Sequence, residues 1–194
     1  MSELLRTIFP PEKVSSSEFE EILSNHSKKD FQKKQHIINS GDINKQFWFV
    51  ESGFARSYII NSEGEEITTG FFGKGDIVID WESFFMRSAT LESIECLSDM
   101  VLWEIQQDDF QRLFDSVDSY RELCRAILVT SHFKLKKYHL SFVADSALER
   151  YQKLLQTRPD IVQEVSLKHI ASYLGITDTS LSRIRKEMSL NRGN

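Results

Sequence analysis

The sequence predicts an α+β protein with a β-rich first half, a long helix after it, and a helix-turn-helix near the end. Three observations carry this expectation. Glycines fall at Gly41, Gly53, Gly64 and Gly75, spaced 12, 11 and 11 apart among short β-rich runs. The hydrophobic period changes from two to roughly 3.6 after Gln106. The charge changes sign along the chain: residues 1–131 carry 13 Lys+Arg and 23 Asp+Glu, residues 132–194 carry 11 and 6, and the net −5 therefore divides into −10 and +5.

The β-rich runs between Phe31 and Ile105 are "HII", "FWFVESG", "FARSYII", "EEITTGFF", "DIVI", "LESIECL" and "MVLWEI". Strands of this length with a turn after each suggest an antiparallel sandwich or jelly roll. "NSEGEE", Asn61 to Glu66, suits a hairpin tip because Gly64 can take a positive φ.

No Pro or Gly occurs between Asp108 and Phe142, which predicts a long helix. Along it Cys124, Leu128, Ser131, Leu135, Tyr138 and Phe142 are spaced 4, 3, 4, 3, 4, the pattern of a coiled-coil seam facing a second helix. One face of an intramolecular core helix is the other reading of the same spacing. Tyr120, Leu123 and Ile127 form a neighbouring stripe that would face the β-rich half. "DSALERYQKLL", Asp145 to Leu155, predicts a further helix capped by Asp145 or Ser146 and ended by Pro159.

In "VSLKHIASYLGITDTSLSRIRKEM" Ser166 caps a short helix with Leu167, Ile170, Ala171 and Leu174 inward, Gly175 breaks it, and Thr177 caps a second helix with Leu181, Ile184 and Met188 inward. Small Ala171 allows close approach and Ile176 fills the corner. The second helix then points Asp178, Thr179, Ser182, Arg183 and Lys186 outward, short hydrogen-bonding groups first and long cations one turn on. Such a face suits the major groove of DNA.

Other chemistries find less support. Cys96 and Cys124 are isolated, with no CxxC pair, so neither a disulfide framework nor a zinc or iron–sulfur site is suggested. Of His26, His36, His132, His139 and His169, only His36 lies among the strands, which does not make the imidazole cluster of a metal-binding jelly-roll enzyme. No strand-turn-helix elbow presents a nucleophile. "MSELLRTIFP" lacks a signal-peptide core and no run of about 18 apolar residues occurs, so a cytoplasmic location without membrane contact is expected.

The element order, with "INSGD", "FWFVESGFARSY", "NSEGEEITTGFFGKGDIV" and "ASYLGITDTSLSRIRKE", resembles the Crp/Fnr family of bacterial regulators, typified by the cyclic-AMP receptor protein and the fumarate–nitrate regulator. The resemblance covers roughly residues 15 to 188. It implies a double-stranded β-helix or jelly roll of the cyclic-nucleotide-binding type over residues 1–107, a dimerisation helix over 108–142 and a winged-helix-type helix-turn-helix domain over 143–194. It implies a homodimer on double-stranded DNA, with RNA polymerase and a small-molecule effector as further candidate partners. The implied base contacts fall on Asp178, Thr179 and Arg183, and the phosphate contacts on Ser166, Lys168, Thr177, Ser180 and Lys186. A ligand-binding regulatory protein without DNA work is the alternative.

The same resemblance sets out a phosphate cassette from which this sequence departs. Counted from Gly75-Asp76, the family's Gly-Glu pair falls on Ile79-Asp80; counted back from "VLWEI", its Arg-Ser pair falls on Thr90-Leu91. Arg87-Ser88 spells the pair three residues early, and an odd shift swaps the faces of an alternating strand. The pocket candidates are therefore Ile79, Asp80, Trp81, Arg87, Thr90 and Leu91. No metal or cofactor is expected, and a cyclic nucleotide in the family's usual mode is not expected either.

Overall fold

The computed structural model describes residues 3–191. Two short helices, α1 (Glu3–Ile8) and α2 (Ser16–Ser24), precede eight strands: β1 (Ser27–Phe31), β2 (His36–Ile38), β3 (Gln46–Ser52), β4 (Ala55–Ile60), β5 (Glu66–Phe72), β6 (Ile77–Val78), β7 (Ser93–Cys96) and β8 (Met100–Gln106), with the helix α3 (Trp81–Met86) inserted before β7. Six helices follow: α4 (Gln107–Ser116), α5 (Asp118–Ala144), α6 (Ala147–Thr157), α7 (Pro159–Glu164), α8 (Leu167–Tyr173) and α9 (Asp178–Asn191).

The strands form two four-stranded antiparallel sheets, ordered β1-β8-β3-β6 and β2-β7-β4-β5, which face each other as a roll. Alternation in β3 decides which core each side chain joins. Trp48 and Val50 point between the sheets with Ala55, Ile94, Cys96 and Leu102, while Phe47 and Phe49 point out of the roll against α1, α2, α4 and α5. The four regularly spaced glycines all take positive φ, between 81° and 93°. At Gly53 this is compounded by crowding, since a Cβ would run into the Asp99 carbonyl and the Met100 side chain.

The helix expected over 108–142 is two helices. Val117, at φ −114° and ψ 102°, is extended and separates α4 from α5. The break buries Val117 and Tyr120 in the core, and Arg121 donates to the carbonyls of Phe114 (3.0 Å) and Asp115 (3.2 Å) that the break orphans. Pro159 does end α6, as expected, but it also serves as the first residue of α7, where its missing N–H costs nothing. Among the described residues no strand accompanies the helix-turn-helix, so the winged type of domain is represented here by helices alone, with α7 between α6 and α8.

The predicted seam is divided in two by the structure. Leu128, Leu135 and Phe142 are exposed, whereas Cys124 packs against the α4–β3 core and Tyr138 donates to the Tyr173 carbonyl at 3.1 Å and stacks on its ring. Ser131 is half-buried on that same inward side. Val129, Phe133, Leu140 and Val143 are exposed as well, so the open apolar face of α5 is broader than the predicted line and its centre is rotated from it by about one residue.

Candidate nucleic-acid interface

The C-terminal head, α6 to α9, is built on Tyr151, Leu154, Ile161, Val165, Ile170, Ala171, Leu174 and Leu181. Three of its helix starts carry side-chain caps: the Ser146 hydroxyl accepts from the Glu149 N–H at 3.3 Å, the Ser166 hydroxyl from the His169 N–H at 3.4 Å and the Thr177 hydroxyl from the Ser180 N–H at 3.2 Å. Between α8 and α9 the chain reverses at Gly175, φ 68°, where the Gly175 and Ile176 N–H groups return to the Ser172 and Ala171 carbonyls, each at 3.0 Å. Ala171 is wholly buried. The two helices therefore meet as the sequence predicted.

The outward face is also as expected in place. Asp178, Thr179, Arg183 and Lys186 of α9 are exposed, as are Ser166, Lys168 and Thr177, while Ser180 is half-buried. The hydroxyls are not independent: Thr177 Oγ1 lies 3.0 Å from Thr179 Oγ1 and 2.9 Å from Ser180 Oγ, a small cluster at the positive end of the helix. Arg183 and Lys186 lie one and two turns further along the same 14-residue helix. This arrangement can present hydrogen-bonding groups at a helix N-terminus to an anionic surface and long cations beside it.

The head does not stand apart from the roll. Phe54, Phe71 and Leu97 of the β-domain pack into its core. The N–H of Thr68, on edge strand β5, donates to the Ser172 hydroxyl of α8 at 2.9 Å. Arg158 pairs with Asp76 and with Asp160, both at 3.0 Å. Beneath α8 the nearly inaccessible Arg56 is held by Glu66 and Glu95, and the Arg56 guanidinium holds the Glu66 carboxyl below its usual range. Burial, with Arg56 nearby, pushes His169 of α8 down. The contacts between head and roll were not anticipated: Arg158 with Asp76 and Ser172 with Thr68 pair residues roughly 80 and 105 positions apart that no local pattern links.

Inside the roll the candidate pocket residues separate. Asp80 and Thr90 come together: Asp80 caps α3 by accepting from the Ser83 N–H at 2.9 Å, and its other oxygen accepts from the buried Thr90 hydroxyl. Ile79 faces the helices instead. Trp81 opens α3 with its ring stacked on Phe85. Arg87 is exposed and closes α3 in the left-handed conformation, φ 59°, and Leu91 is 79% exposed. Strand β7 begins at Ser93 with Ile94 and Cys96 inward, so the strand does not start early. Sequence reasoning missed the half-buried Glu92, whose carboxyl is pushed up by desolvation beside the Thr69 hydroxyl, which itself donates to Ser57 at 2.8 Å. Small polar residues at inward positions of β4 and β5 were the available signal. Cys96 and Cys124 are free thiols, each pushed up to about 12 by burial. His36 is engaged with the Tyr58 hydroxyl at 3.0 Å.

Among the described residues no group of three or more potential metal ligands occurs, and no helix is long and apolar enough to cross a membrane. Residues 28–117 match the family described as the cyclic nucleotide-binding domain. The chain is similar to electron transport regulator A of Shewanella oneidensis, 26% identical over 170 residues that cover 81% of this chain and 66% of that one. A 51-residue stretch is 43% identical to the fumarate and nitrate reduction regulatory protein of Yersinia pestis, covering 26% of this chain and 20% of that protein. The chain thus spans just under two thirds of the first relative and matches a fifth of the second. In fold it is similar to FixK2 from Bradyrhizobium japonicum, with a TM-score of 0.72 at 18% identity over 86% of this chain and 85% of that one.

Proposed function

The chain belongs to the Crp/Fnr family of regulators, and from that premise we propose that it is a homodimeric transcriptional regulator that reads a palindromic DNA site with α9. The observation that carries this is the face of α9: Asp178, Thr179 and Arg183 are exposed at the start of a helix whose other side is locked by Ala171, Gly175 and Leu181. Arg183 is the base-reading cation, Asp178 and Thr179 adjust the choice of base, and Ser166, Lys168, Thr177, Ser180 and Lys186 hold the backbone. The acidic first two thirds of the chain repel phosphate, which confines binding to the head. The open apolar face of α5 is the dimer seam, RNA polymerase is a further partner at the promoter, and the protein works in the cytoplasm.

For the β-domain, the reading is that a cyclic nucleotide does not bind in the family's usual mode. A phosphodiester there would meet Asp80 and Glu92, with Thr90 in the place of a cation. The β-domain then holds another small ligand, or none.

A gel-shift titration against genomic fragments over a range of salt tests the first reading. Log affinity falling with log salt by about 0.9 per phosphate neutralised supports it. Binding that ignores salt, or no binding to any fragment, favours a ligand-binding protein without DNA work. Calorimetric titration with cyclic AMP and cyclic GMP tests the second, and micromolar binding lost in Arg87→Ala would overturn it.

A further inference from the structure

A cavity lies outside the roll, on the face of the first sheet turned away from the second. Strand β6 is only two residues long, and the chain then leaves the sheet for α3. This leaves a gap of ≈ 160 Å³ between β3, α3, α4 and α5, walled chiefly by Phe47, Phe49, Ile77, Trp81, Phe114 and Ile127. Its aromatic walls are fixed by edge-to-face packing, Phe47 against Phe84 at 5.5 Å and against Phe110 at 5.7 Å. An apolar cavity of about 150 Å³ stays dry and takes up benzene, so this one has room for a six-membered ring with a small substituent.

Two polar side chains, Gln111 and Arg125, border the gap beside the Cys124 thiol. Arg125 pairs with Glu122 at 2.8 Å, and both side chains are more than half exposed, so the pair is weak and can be exchanged. We propose that this cavity binds a small aromatic monocarboxylate, the ring held between the sheet and α5 and the carboxylate on the Arg125 guanidinium. Such a ligand joins α3 to α5 next to Leu128, where the open apolar face of that helix begins. Binding rests on the cavity alone; only its consequence for the dimer, and so for DNA, rests on the function proposed above.

The test uses the full chain without DNA. Benzoate is titrated by calorimetry and by methyl NMR of Ile77, Ile79 and Ile127, with toluene as the ring alone and acetate as the carboxylate alone. A ligand of about nine heavy atoms allows saturable one-to-one binding at about 0.1–1 mM. Arg125→Gln should weaken benzoate about tenfold and leave toluene within about twofold. Ile77→Phe should fill the gap and abolish both, and if that variant does not fold, ligand-ring contacts to the Ile77 and Ile127 methyls of the wild type decide instead. The proposal is overturned if benzoate shows no saturation by about 5 mM, if acetate binds as well as benzoate, or if binding appears only in a dissociated variant such as Leu135→Glu, which would mean that a partner chain occupies the gap.

Discussion

Arg158 Nη2 of the head lies 3.0 Å from the Asp76 carboxylate in the turn before β6, and the pair ties the helix-turn-helix to the loop that leads into the sensor interior. Burial lowers the Arg158 pKa, but the carboxylates of Asp160 and Asp76 outweigh it and leave the guanidinium firmly charged. With both side chains about 30% exposed or less, a double-mutant cycle of Arg158→Ala and Asp76→Ala should give a coupling of about 0.5–1 kcal/mol that shrinks with salt. Hydrogen exchange over Leu167–Tyr173 should quicken in either variant. Unchanged exchange there would show that the pair does not hold the head.

Arg183→Ala should fold normally, because the side chain is exposed, and should lose about 1–3 kcal/mol of binding to the selected operator. Lys168→Ala should instead weaken all sequences alike and lower the salt slope by about 1. Comparing the two variants on operator and random DNA separates base reading from phosphate holding.

Leu135, 65% exposed on α5, is the place to test self-association. Leu135→Glu should convert a dimer to a monomer in sedimentation at micromolar concentration without altering the circular dichroism of the roll. A wild-type protein that sediments as a monomer in the presence of DNA would contradict the proposed assembly.

Gly175→Ala should lower stability by about 1–2 kcal/mol, since φ 68° disfavours any Cβ and the new methyl would sit 3.0 Å from the Phe142 ring. The loss should appear in thermal melts and should be partly relieved by Phe142→Leu, which removes the crowding but not the backbone cost.

His26 supplies a pH test. Burial among Phe9 and Phe49 pushes its pKa down to about 4 from an ordinary 6.5, and its Nδ1 lies 2.7 Å from the Ile22 carbonyl. The unfolded chain therefore takes up a proton that the folded one refuses, so stability is full above pH 6.5 and falls as pH drops from there toward 4. The full loss is on the order of 3 kcal/mol. Chemical denaturation at pH 7 and pH 5 should show part of this loss, and His26→Phe should flatten it.

What the sequence displayed locally, the structure repeats. The seven named β-runs all become strands, Asn61 accepts from the Glu63 and Glu65 N–H groups as a hairpin tip does, and Ser166, Gly175 and Thr177 punctuate the final helices. The short helices were harder. Ser15 and Glu18 form the same capping box as Ser146 and Glu149, but the apolar stripe behind the first is only Phe19, Ile22 and Leu23, too short to declare a period. The break at Val117 has no local mark because it is decided by the burial of Tyr120 beneath α1 and α4. For the candidate site, the exposed face of α9 was legible from spacing and capping. The docking of α8 on β5 was not, since Ser172 and Thr68 meet only in three dimensions.

Phe54, Phe71 and Leu97 belong to the roll in sequence but to the head in packing. The boundary near residue 145 is thus a division of labour and not of folding: cutting there would bare these side chains on one fragment and open holes in the other. The halves cannot be exchanged between relatives as interchangeable cassettes unless these three positions travel with the head. A calorimetric scan of the intact chain should accordingly show one melting event.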